Sequence, residues 1–410
     1  MISYTKRQRA QTAAAVVGVD AGKYTHTLVV RPRGGRDSKP HTFETTRDGF
    51  DGAVAFVREA VPDAAPAEIL VGIEFAGVYG FTLAHYLDRL GFPVVSVLPA
   101  HSKRWKEVVH NQRLKTDAKD ALVITDLLAQ GNFVAFPFLE PAYADLRCLV
   151  SARERVSVER RAAITRLKSV LEIVWPEFER RFKDFSKKTP IALLARFPHP
   201  EAFLSAPKRS VLHVLRKASR GHLGDETYAE LREAAARTLA LPGARGALKD
   251  EVPLLVQRIE LLVRQRRTLD EAMVETLERV PAARSVLSVP EVAPVTAAVF
   301  LGSIGDPKAY ENERQVLKVA GLGLVEASSG TMKSNVRISK RGRPALRRHL
   351  YMLALRSVQT GGIYREAYEA LLERNGGRKI PAVVAISRKL VGLLYSVARD
   401  GRLWTPEPPR

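Results

Sequence analysis

The chain has 410 residues, enough for two or three domains that can each bury a core. Hydrophobic residues make up 46% and charged residues 27%, the balance of a folded globular protein and not of a disordered chain. With 65 Lys plus Arg against 44 Asp plus Glu the formal net charge is +21, which calls for a polyanionic partner, nucleic acid ahead of an anionic membrane surface.

The N-terminus, MISYTKRQRAQTAAAVVGVD, starts basic, but its apolar stretch runs only from Ala13 to Val19 before Asp20 interrupts it. That is too short for a secretory leader and reads as a basic tail entering a strand. THTLVVRP and HTFETT read as two further strands, and DGFDGAVAFVREAVP has helical period up to Pro62. The strand EILVGIEF, the helix VYGFTLAHYLDRLGF and the strand PVVSVLPA follow, and then a helix over KTDAKDALVITDLLAQG. Strands followed by alternating helix and strand predict an α/β sheet covered on both faces over residues 13 to 135.

From residue 143 the texture changes to two long, Arg-rich amphipathic segments, one ended by Pro176 and the other by Pro281. Their three and four spacing predicts a helical hairpin or an intermolecular coiled coil. Between them, residues 180–250 hold short helices punctuated by Pro and Gly, with little evident chemistry. The remainder from Ala282 reads as mainly helical, with a last helix at 380–398. The expected domains are 13–140, 141–281 and 282–400.

Glu74 breaks the most apolar stretch, ILVGIEFAGVYGF, so no membrane span is expected. The single cysteine, Cys148, falls in the apolar phase of a helix and cannot form an internal disulfide, which makes the cytosol the expected compartment.

Chemistry is concentrated in acids. Asp20 closes the first strand and Glu74 the fourth, one step past strictly apolar runs, where strand ends of an α/β sheet collect functional groups. Asp117 and Asp120 sit three apart at the start of a helix and repel each other unless a cation lies between them. The plainer reading is a pair of first-turn acids facing water and favoured by the helix dipole. Taken with Asp20 and Glu74, however, they complete an all-oxygen quartet of the kind that suits Mg²⁺ or Mn²⁺ and in-line phosphoryl transfer.

VGVDAGKYTHTLVV, GIEFAGVYG and KTDAKDALVITDLL resemble the three motifs of the DEDD transposases and DNA invertases of the Piv/MooV type, the insertion sequence one-hundred-ten family. The resemblance implies a RuvC-like N-terminal domain of the ribonuclease H fold, a long helical coiled-coil connector, and a mainly α C-terminal transposase domain. A rival for the first motif is the phosphate loop of sugar-kinase and actin-like ATPases, using Asp20, Gly22 and Thr25 or Thr27. No second Gly-rich loop accompanies it.

Between Thr331 and Leu350 the chain carries Lys333, Arg337, Lys340, Arg341, Arg343, Arg347 and Arg348 and no acid. This is either a solvated basic face or a phosphate-binding one, and the overall charge favours the second. Lys115 and Lys119 flank the acids of the third motif in the same way. Gly321 to Gly330 and Arg337 to Gly342 are similar to the family's C-terminal signature, which implies that Ser329 is a nucleophile forming a phosphoserine link to DNA. Leu324 stands where the family has proline. VPEVAP, with Glu291 and Ala293, stands where it commonly has a glycine-bearing turn, so phosphate binding at that turn is not expected.

The resemblance implies an enzyme of DNA transposition or inversion, acting on donor and target DNA with Mg²⁺ or Mn²⁺ in the prokaryotic cytosol near the nucleoid. It also implies a structured bridge RNA as guide and a homo-oligomer, dimer or tetramer. The alternatives left open are a RuvC-like junction endonuclease that uses water, and a non-catalytic nucleic-acid-binding protein.

Overall fold

The strand residues alternate by face, and that alternation decides where the acids point. The protein is described here from a computed structural model covering residues 4–75, 77–109, 116–136, 138–240, 248, 250–326 and 336–406. It divides into two compact units, Met1–Phe138 and Leu139–Arg410.

In the first unit, β1 (Ala15–Ala21), β2 (Thr25–Pro32), β3 (His41–Glu44), β4 (Ile69–Glu74), β5 (Val94–Val97) and β6 (Val134–Ala135) form one sheet of order β3-β2-β1-β4-β5-β6. β1 pairs antiparallel with β2 and parallel with β4; β4 pairs parallel with β5, and β6 closes the edge antiparallel. Val17, Val19, Val71 and Ile73 face α2 (Arg47–Ala60) and α3 (Phe81–Arg89) in one buried core. Val16, Leu70, Val95 and Val97 face the other way, against α5 (Asp117–Ala129). By the same alternation Asp20 and Glu74 point to the α5 side.

The N-terminal stretch is not a tail. It forms α1 (Tyr4–Thr12), whose Ala10 is buried in the α5-side core and whose Lys6 Nζ donates to the Phe133 carbonyl at 2.8 Å. A further helix, α4 (Pro99–Val109), precedes α5.

In the second unit, α6 (Pro141–Val174) and α12 (Glu251–Glu278) pair with each other inside one chain. Asp145 meets Arg279, Arg153 meets Asp270 and Arg166 meets Glu251, so the two run antiparallel. Of the two arrangements expected for these helices, the hairpin is the one present. Its far end holds a core with α7 (Pro176–Arg181), α8 (Lys188–Arg196), α9 (Pro200–Ser205), α10 (Lys208–Ser219) and α11 (Asp225–Ala236), centred on Trp175, Phe178 and Phe203. Its near end packs against α13 (Ala283–Leu287), α14 (Pro294–Ile304), α15 (Glu313–Ala320), α16 (Pro344–Gln359), α17 (Arg365–Arg374) and α18 (Lys379–Asp400).

One sequence expectation fails here. Cys148 is exposed, because α6 turns its apolar stripe through Leu146 and Val150. One helix, α18, is long and apolar enough to cross a membrane by length and composition, although its Ile386, Leu390 and Leu394 are buried in the near-end core.

Candidate active site

Glycine brings the helix that carries two of the acids down onto the sheet. Gly18 and Gly72 lie side by side in β1 and β4. A Cβ on Gly18 would lie 2.7 Å from the Ala121 carbonyl of α5, and one on Gly72 would press on Leu128. The missing side chains therefore let α5 approach closely. Thr116 caps α5 by accepting from the Lys119 amide at 3.4 Å. Arg31 of β2 donates to Asp126 at 2.8 Å and fixes the helix laterally.

At the carboxyl ends of the strands, Asp20 and Glu74 are direct partners in the β1/β4 register. Asp120 is buried at the start of α5 and Asp117 is exposed beside it. The four share one electrostatic neighbourhood. Burial, and then Asp120, Glu74 and Asp117, push the Asp20 carboxyl up to about 6, while Lys106 acts in the opposite direction. The Lys106 ammonium, on α4, lies 2.7 Å from Asp120 Oδ1.

Among the described residues no group of three or more His, Cys, Asp or Glu side chains stands ready to hold a metal ion. The quartet is therefore gathered but not closed around one ion position. The donor set still fits a hard divalent cation, since all four groups offer oxygen and Asp20 bears an electrostatic penalty that a cation would relieve.

Lys106 escaped sequence reading because its partner Asp120 lies on another helix and no local spacing links the two. The rim of the site escaped it as well. Tyr24 is 72% exposed in the β1–β2 hairpin and Val78 is 74% exposed after β4. The two loops are neighbours, since a Cβ on Gly80 would meet that of Ala21. The exposed Tyr24 ring beside the clustered acids is suited to contact nucleobases.

In the second unit, the two stretches of the C-terminal signature meet. Lys340 donates its amide to Gly321 O at 3.0 Å and Ser339 to Gly323 O at 2.8 Å. Gly321 and Gly342 touch, and a Cβ on Gly342 would run into Gly321 N and the Lys318 carbonyl. β7 (Leu324–Val325) and β8 (Arg337–Ile338) pair antiparallel on either side of the segment holding Ser329 and Lys333. Ser329, Lys333 and, in the first unit, Lys115 lie outside the described residues.

Lys119, Arg337, Lys340 and Arg341 are exposed and open to a phosphate backbone, whereas Arg343 is only partly open, its guanidinium near Tyr310 and Arg147 with burial opposing its charge. Arg347 and Arg348 are engaged internally instead. Arg347 donates to the carbonyls of Ala320 and Lys340, and Arg348 forms a two-point ion pair with Glu154. Glu291 adopts a left-handed φ of 62°, the conformation a glycine would take without strain at that turn.

Comparison with known proteins bears on both units. A family model described as a transposase, of the DEDD IS110 type, matches residues 17–176. A second, described as the transposase IS116/IS110/IS902 family, matches residues 283–369. The chain is similar to an uncharacterized 44.8 kDa protein of insertion element IS116 from Streptomyces clavuligerus, 28% identical over 96% of both chains. It is also similar to an uncharacterized 43.6 kDa protein of insertion element IS110 from Streptomyces coelicolor, 27% identical over 77% of this chain and 78% of that one. A transposase for insertion sequence element IS1111A from Coxiella burnetii is 24% identical over 96% of this chain and 92% of its own.

Proposed function

The chain belongs to the IS110/IS116 family of insertion-element transposases, and on that premise we propose that it cuts and rejoins DNA through a phosphoserine intermediate formed on Ser329. The observation that carries the reading is the convergence of Asp120, Glu74 and Asp117 on Asp20, an electrostatically unfavourable gathering of acids. The strand order β3-β2-β1-β4-β5, antiparallel and then parallel, supports a RuvC-like member of the ribonuclease H fold for the first unit.

Asp20, Glu74, Asp117 and Asp120 would hold a divalent cation, Mg²⁺ or Mn²⁺, which when bound polarises a scissile phosphate. The rest falls to the chain's own groups. The Ser329 Oγ attacks phosphorus, a P–Oγ bond forms, and the bond to one deoxyribose oxygen breaks as that oxygen leaves with a proton. A DNA hydroxyl then attacks the phosphoserine and restores the serine, so the bond energy is conserved without an external source. Arg337, Lys340, Arg341, Arg343 and Lys119 hold the DNA backbone by charge, and Lys115 and Lys333 are assigned the same role from the sequence.

The acids and Ser329 belong to different units of the chain. A complete site assembled by a homo-oligomer, with a structured bridge RNA choosing donor and target, belongs to the same proposal. The Arg-rich helices and the charge of +21 support it.

Excision and rejoining of an element-bearing plasmid test the reading. Ser329→Ala and Asp20→Asn are each expected to abolish the reaction, whereas cleavage that survives Ser329→Ala would assign attack to water, as in a junction endonuclease.

A further inference from the structure

Residues 177–282 lie between the two family matches and carry a feature that the chemistry above does not use. At the far end of the hairpin, α6, α8, α10 and α12 enclose a cleft of about 810 Å³. Six cations line it, Arg160, Lys187, Lys188, Lys217, Arg264 and Arg266, against one acid, Glu260. A second hollow of about 580 Å³ on α10 shares His213 and Lys217 with it, so the basic surface is continuous.

Of the six, Arg266 reaches an acid, Asp270, at 3.8 Å, and the others are less well compensated from within. Among the described residues Lys187, Lys188, Lys217 and Arg264 form no ion pair. Arg160 donates to the Ser186 carbonyl at 3.1 Å, but its Nε is buried without an acceptor. Burial and the neighbouring Arg266 both oppose its charge. A buried donor with no partner, held beside a like charge, is costly until an anion arrives. The floor is different in kind: Ile191, Ala192, Val214 and Val263 form an apolar surface between the cations.

We infer that this cleft binds a single-stranded nucleic-acid segment, with phosphates on the Lys and Arg side chains and a base laid on the apolar floor. Its volume matches pockets that enclose a ligand of one or two nucleotides, whereas a duplex would lie across the mouth and leave the Arg160 Nε unpaired. The inference rests on the proposed recombinase reading only for the identity of the anion. It concerns affinity and leaves the Ser329 chemistry untouched, so each can fail alone.

The test uses the full chain and fluorescein-labelled 12-mers, single-stranded RNA, single-stranded DNA and duplex DNA, followed by anisotropy across a salt series. Lys188→Gln/Lys217→Gln/Arg264→Gln should weaken single-strand binding and lower the slope of log K against log salt by about 2, three contacts at roughly 0.7 each. Duplex affinity should fall far less than single-strand affinity. A preference between RNA and DNA identifies the natural source, since only RNA offers a 2′-hydroxyl. On the unaltered protein, a 4-thiouridine strand should crosslink within residues 185–218 or 259–266, a readout independent of how the triple variant folds. Unchanged single-strand affinity and slope in a folded variant, crosslinks confined elsewhere, or displacement of the strand by an acidic peptide but not by excess unlabelled strand would each overturn the inference.

Discussion

Asp20 and Glu74 stand opposite each other in the parallel register of β1 and β4, both on the face covered by α5. Two carboxylates at adjacent strand ends repel, and the start of α5 adds Asp120 and Asp117 to them. Such crowding lowers stability and is retained where function needs it.

Asp20→Asn should therefore stabilise the metal-free protein while removing activity. The folded-state value of about 6 lies above the free value of 3.8, so the penalty is fully present above pH 6 and fades as pH falls towards 3.8. After allowance for solvent screening the gain at pH 7.5 in EDTA is about 1 kcal/mol. Thermal melts should show it as a rise of a few degrees that shrinks at pH 4.5; equal melting of the two proteins at pH 7.5 would remove the crowding argument.

Lys106 occupies the cation position on Asp120, at 2.7 Å. A divalent ion has to displace or share that contact. Lys106→Gln should tighten Mn²⁺ binding by up to about fivefold, the scale of one partly exposed ion pair. Mn²⁺ titration by electron paramagnetic resonance reads this directly, and weaker binding in the variant would mean that Lys106 supports the ion instead of standing in for it.

Gly18→Ala should disrupt the first unit. Its Cβ would meet backbone atoms of α5, the Thr125 amide and the Ala121 carbonyl, which cannot rotate away. The expected cost is on the order of 2–3 kcal/mol from overpacking, read by urea denaturation, together with loss of Mn²⁺ affinity as α5 lifts Asp117 and Asp120 from the strand ends. A variant with unaltered midpoint and unaltered affinity would show that close helix approach is not what assembles the quartet.

His349 gives the second unit a pH dependence of opposite sign to that of Asp20. Burial, with Arg153 and Arg348 nearby, pulls its value from 6.5 down to about 4. Between these values the unfolded chain binds more protons than the folded one, so this contribution is complete above pH 6.5 and is lost as pH falls towards 4. The loss is on the order of 2–3 kcal/mol. His349→Gln should flatten that part of the stability profile in urea melts between pH 4 and 7.

The strands and the four acids were legible because the sheet enforces a period of two and buried strand ends tolerate acids poorly. Asp20 and Glu74 announced themselves by ending apolar runs, and Gly18 and Gly72 fell inside those runs without revealing that α5 would lie on them. Lys106 was not legible, because its partner is fourteen residues away on another helix and no local spacing links them. Arg347 and Arg348 read as free cations, yet carbonyls of Ala320 and Lys340 and the distant Glu154 claim them. Cys148 read as apolar because Leu146, Leu149 and Val150 surround it in the sequence, yet it stands two residues from both Leu146 and Val150 and so lies on the opposite face of α6. The basic cleft went unread because its cations come from four separate helices.

The central claim is that Ser329 becomes covalently joined to DNA at a site served by the acidic quartet. The most direct measurement is mass spectrometry of the full protein after incubation with element-end DNA and Mg²⁺ or Mn²⁺, followed by nuclease and protease digestion. The account predicts a nucleotide adduct on the peptide containing Ser329, absent from Ser329→Ala and strongly reduced in Asp20→Asn. Cut DNA with no adduct, or an adduct on a different residue, would contradict it.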